Sequence, residues 1–144
     1  MQPFIKFEKV WCDEDTTELK VTVNNGQSSF SNIVSLGNNE LSELSESLEV
    51  FKTQYYGGLK DVQFGRFGRE FVNGGFHARM HFPEPGYLYI ATTQQSKFLS
   101  FKGQEVASEA KMFLRTEPCL LDNFLLELKQ LSKGDEDAAQ LLCI

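Results

Sequence analysis

Phe76-His77-Ala78-Arg79-Met80-His81-Phe82 alternates without interruption: Phe76, Ala78, Met80 and Phe82 fall on one side, and His77, Arg79 and His81 on the other. A period of two is the signature of a strand with one buried and one open face. Pro83-Glu84-Pro85-Gly86 then reads as a turn, because two prolines fix φ while Gly86 tolerates positive φ. Tyr87 to Thr93 returns as the paired strand. Upstream, Val62 to Phe64 and Phe67 to Val72 read as further strands, punctuated by Gly65, Gly68 and Gly74-Gly75.

The N-terminal third has the same texture. Phe4 to Val10 reads as a strand, and Leu19, Val21 and Val23 alternate with polar residues up to the hairpin signal Asn24-Asn25-Gly26. Ser29 to Leu36 comes back as its partner. Near the other end, Lys97 to Lys102 and Val106 to Arg115 are expected to pair as a hairpin around Gly103.

Two segments change period. Leu41, Leu44, Leu48 and Phe51 recur at helical spacing after a cap at Asn38 or Asn39, and Leu121, Phe124, Leu128 and Leu131 do so after Thr116-Glu117-Pro118. A shift of 80 residues lays one stripe on the other. A duplicated strands-then-helix unit would produce that match, and so would the spacing shared by any two sheet-covering helices. The expected fold is α+β, a mainly antiparallel sheet with two amphipathic helices packed on one face. Residues 1–133 form the single domain, and residues 134–144 form an acidic, then apolar, C-terminal tail.

The chain has 144 residues, 13 of them Phe, so one ring-packed core is expected. A net charge of −6 works against nucleic acid and anionic membrane as partners and in favour of a basic protein. No apolar run is long enough to span a bilayer and the N-terminus has no signal-peptide pattern, which predicts a cytoplasmic protein. The 3 cysteines are widely spaced, which fits a reducing compartment, and Cys119 reads as a small buried hydrophobe.

The sequence assigns no catalytic, cofactor-binding or metal-ligating residue. His77 and His81 share a strand face, but at about 3.3 Å per residue they stand about 13 Å apart, too far for one ion. His77, Arg79 and His81 instead form a basic ladder that would receive a carboxylate, make an interface, or remain a solvated sheet face. Gly65-Arg66-Phe67-Gly68-Arg69-Glu70 has glycines but neither phosphate-loop pattern, so Arg66 and Arg69 read as exposed turn residues that add to an arginine-rich patch. Glu40, Glu43 and Glu46 lie along the first helix at intervals of three, either a solvated face or a negative surface for a basic protein.

The early Trp11 after a first strand, the strand pair, the leucine-spaced helix, the glycine-rich hairpin and the Thr-Glu-Pro helix start resemble small bacterial domains of unknown function. That group includes immunity-type proteins of wall-associated and polymorphic toxins. The resemblance runs over residues 4 to 132 and carries no functional residue with it. It implies a non-enzymatic protein that binds and blocks a cognate toxin domain, without a cofactor. The expected contact is the acidic helix face or an exposed sheet edge. A homodimer through the open sheet face is a further expectation, and the competing reading is a small-molecule or hydrolytic site around His77, Arg79 and His81.

Overall fold

The computed structural model describes residues 2–71 and 73–144. Its strands are β1 (Phe4–Cys12), β2 (Thr16–Asn24), β3 (Ser29–Gly37), β4 (Leu59–Gly65), β5 (Gly75–Glu84), β6 (Tyr87–Gln95), β7 (Leu99–Phe101), β8 (Gln104–Val106), β9 (Glu109–Thr116) and β10 (Ala138–Leu142). The helices are α1 (Asn38–Phe51), after β3, and α2 (Pro118–Lys133), after β9. The fold is α+β and every strand pairing is antiparallel.

The strands divide between two four-stranded sheets, β10-β1-β2-β3 and β4-β5-β6-β9, with β7-β8 as a separate ribbon. The single expected layer is therefore split. Alternation says which side of a strand is buried but not which strands share a ladder, so the division is invisible locally. Both sheets turn their apolar sides toward one core that also receives Leu41, Leu44, Leu48 and Phe51 of α1 and Leu121, Phe124, Leu128 and Leu131 of α2. Phe7 on β1 marks the meeting point. Its ring lies 5.6 Å from Phe64, 5.8 Å from Phe76 and 5.8 Å from Phe124, all edge-on.

The two halves repeat one plan. Each half is a three-stranded meander, β1-β2-β3 or β5-β6-β9, followed by a helix and then by a strand on the edge of the other half's sheet: α1 leads from β3 into edge strand β4, and α2 leads from β9 into edge strand β10. Buried positions correspond 71 residues apart on the first two strands of each meander, as in Ile5 and Phe76 or Leu19 and Ile90. They correspond 80 apart on the next strand and helix, as in Val34 and Leu114 or Leu48 and Leu128, and 79 apart beyond it, as in Val62 and Leu141. The step between 71 and 80 is the added length of the β6–β9 connection, which holds the β7–β8 ribbon.

Several local expectations change. Residues 66–71 form no strand: the chain leaves β4 at Gly65, at φ 65°, and bends and turns over 68–71, where Gly68 takes φ of 117°; Val72 lies outside the described residues. Gly103 does sit in a hairpin, but the ribbon is only three residues a side and β9 pairs with β6, where Met112 and Leu114 join the core. Asn38 does not cap α1. The cap residue is Gly37, whose N–H is accepted by the Glu40 carboxylate, while Asn38 donates to the carbonyls of Asp13 and Glu14 and accepts from Thr17. The C-terminal segment is built in: β10 pairs with β1 and buries Ala139, Leu141 and Cys143. Among the described residues no helix is long and apolar enough to cross a membrane.

The thiols separate cleanly. Cys12 and Cys119 are exposed, the latter against expectation because it lies on the outer side of α2's first turn. Burial pushes the Cys143 thiol up to about 12. A disulfide-exchange reagent applied near neutral pH should titrate 2 thiols of the native protein and all 3 only after denaturation.

Candidate interaction surface

The outer side of the second sheet turns away from the core that both helices join. Its side chains lie in rows set by the register: Leu59, His81, Tyr89 and Arg115; Asp61, Arg79, Ala91 and Phe113; Gln63, His77, Thr93 and Lys111. With strands about 4.8 Å apart, the rows span roughly 14 Å. Phe113 is 71% exposed, Leu59 51% and Tyr89 41%, so large apolar side chains stand open on this face. The Arg115 guanidinium lies over the Tyr87 ring, 4.7 Å from its centre, which holds both side chains upright.

His77, Arg79 and His81 are on this outer face as expected. Asp61 organises two of them: its carboxylate meets His77 Nε2 at 2.9 Å and accepts from Arg79 Nε at 3.2 Å. The Arg79 hydrogen bond, aided by His77, holds the Asp61 carboxyl below its ordinary 3.8, against a smaller opposing effect of burial. A carboxylate whose folded pKa lies below its unfolded one stabilises the fold fully above the unfolded value, and the contribution fades as pH falls through the folded one. Asp61→Asn should therefore lower stability slightly at neutral pH and leave it unchanged in strong acid, as read by urea denaturation at each pH. The effect stays small because the pair is solvent-exposed.

The other expected positions lie elsewhere. Arg66 stacks 5.4 Å from the Phe71 ring, and Arg69 pairs with Glu105 at 2.9 Å, tying the 66–71 loop to the β7–β8 ribbon. That ribbon turns at Lys102 and Gly103, both at positive φ, and carries Leu99, Phe101 and Val106 exposed along one side. Glu43 and Glu46 are exposed on α1, and Glu40 is engaged at the helix cap. Glu40 and Glu43 also line a groove of about 270 Å³ between α1 and β4, with Lys60, Asp61 and Gln63 on its other wall. Charge thus changes sign across β4, from arginine and lysine on the sheet face to glutamate on the helix.

Sequence reasoning missed Phe113, Leu59, Asp61 and Arg115. One signal was present: between Lys111 and Arg115, on the polar phase of β9, Phe113 is an apolar residue out of step. Trp11 is a different case. A bulge between Lys9 and Trp11 shifts the β1–β2 register, so Trp11 stands opposite Glu18 on the outer side of the first sheet, half exposed.

Among the described residues no three His, Cys, Asp or Glu side chains are grouped to hold a metal ion. Comparison of the chain with family models, with curated protein sequences and with solved structures finds no match.

Proposed function

We propose that this chain is a non-enzymatic protein-binding domain, an immunity-type protein that neutralises a toxin domain by covering it. The observation that carries the reading is the uncovered face of β4-β5-β6-β9, where Leu59, Tyr87, Tyr89 and Phe113 are exposed beside Arg79 and Arg115. Aromatic residues and arginine are the types that dominate the centres of protein interfaces. His77 and Arg79 face that surface already engaged by Asp61, so they serve as a rim for a protein better than as an open cluster for a small molecule. The acidic row of α1 flanks the face and favours a partner with basic residues at that edge.

The test begins with the adjacent gene. If it encodes a large secreted protein, the C-terminal domain of that protein should form a stable complex with this chain and lose its toxicity. Phe113→Asp should then weaken the complex at least about 30-fold, or about 2 kcal/mol, while changing stability by no more than about 0.5 kcal/mol. An operon of metabolic enzymes, or an unchanged affinity for Phe113→Asp, would contradict the reading.

A further inference from the structure

The two halves of the molecule differ at the sheet edge that lies beside each helix. On β10 the edge is closed: Glu127 of α2 accepts the backbone N–H of Gln140 at 3.0 Å. Adding 80 to Ser47 gives Glu127, and adding 79 to Asp61 gives Gln140, the same offsets that align the buried positions of the two halves. Ser47 therefore stands where the closing carboxylate would be. Its hydroxyl instead donates back to Leu44 of its own helix at 3.0 Å.

The β4 ladder shows which groups are left over. Phe82 donates to the Gly58 carbonyl, and pairing alternates from there, so Lys60, Val62 and Phe64 bond toward β5 while Leu59, Asp61 and Gln63 turn their backbone groups outward. They face the groove between α1 and β4. The α1–β4 connection carries Tyr55 and Tyr56, their rings 5.1 Å apart and Tyr56 80% exposed. Glu40 and Glu43 line the α1 wall of the groove.

We propose that β4 is a strand-addition site: it takes an extended segment of a protein partner as a fifth strand of the second sheet, with lysine or arginine side chains directed at Glu40 and Glu43. This rests on the protein-binding reading and names how the partner's segment is held. An open strand edge supplies sequence-independent backbone hydrogen bonds, and the adjoining side chains select what sits there. The acidic wall opposes an acidic strand, and Ser47 in place of a carboxylate leaves the outward N–H of Asp61 to the incoming chain.

The probe is a blocked peptide of alternating lysine and valine, the length of the 7-residue β4, with an alternating glutamate and valine peptide as control. Titrated into the isotope-labelled full chain, the lysine peptide should move the amide resonances of Leu59, Asp61 and Gln63, and the glutamate peptide should bind at least about tenfold more weakly. Ser47→Glu, which copies the closure seen on β10, should abolish the shifts without lowering stability, and Gln63→Pro should do the same by removing one outward N–H. Equal binding by Ser47→Glu and wild type, shifts confined to other strands, or no response to the lysine peptide would overturn strand addition. Inhibition of the adjacent-gene toxin by Ser47→Glu at wild-type affinity would remove this proposal and leave the protein-binding reading standing.

Discussion

Phe7→Ala should lower the free energy of unfolding by about 3–5 kcal/mol, the range for truncating a well-packed aromatic residue. The size follows from position. Phe7 belongs to the first sheet, whereas the rings around it come from the second sheet, Phe64 and Phe76, and from α2, Phe124. Alanine there removes contacts to three rings at once, and three different elements would have to move to refill the space. Against a total stability of about 5–15 kcal/mol, a loss of this size brings the chain close to unfolding at moderate urea. A single cooperative transition should persist, since the halves share one core. A loss below about 1 kcal/mol would mean that the two halves do not meet at Phe7.

A chain ending at Asp137 should fail to fold. The seven residues removed contribute the edge strand on β1 and three buried side chains, Ala139, Leu141 and Cys143. Leucine burial alone contributes about 2 kcal/mol, and the exposed flank of β1 loses its ladder and its cover together. Other ties go too: Thr116 donates to the Leu142 carbonyl at 2.7 Å, and Ile144 donates to Arg115 at 2.8 Å, joining the end of the chain to β9. The combined loss should exceed about 5 kcal/mol, enough to consume a typical small domain's stability. Circular dichroism and urea titration of the shortened chain provide the check. A cooperative transition within about 1 kcal/mol of the full chain would show that β10 is dispensable.

These two sites show what could be read from residue order. Local periodicity carried the strands and helices: Phe76 to Phe82 alternates and is buried in that alternation, and both leucine-phenylalanine stripes face the core. Pairing between distant segments left no such trace. Ala138 to Leu142 alternates over only five residues, mostly small or apolar on both sides, so its pleat was hidden. The 80-residue match between the helices extends, in the structure, to strand order and to buried positions on every strand of the meanders. It was incomplete in the sequence because the β7–β8 ribbon changes the offset partway through.

The candidate surface was legible in part. His77, Arg79 and His81 were placed correctly on an outer face, but the neighbours that make that face apolar come from β4, β6 and β9, and only the register brings them alongside. Arg66 and Arg69, grouped with Arg79 in sequence, point into separate local contacts with Phe71 and Glu105. The bulge that turns Trp11 outward likewise depends on the pairing of β1 with β2 and not on β1 alone.

The central claim is that the bare side of β4-β5-β6-β9 is the partner-binding surface. Its most direct test is hydrogen exchange of the chain, free and in complex with the protein partner proposed above. Slowed exchange should concentrate in β4, β5, β6 and β9, with little change on the outer side of β1 and β2. Protection confined to the first sheet or to α2, with β9 exchanging as in the free protein, would contradict the account.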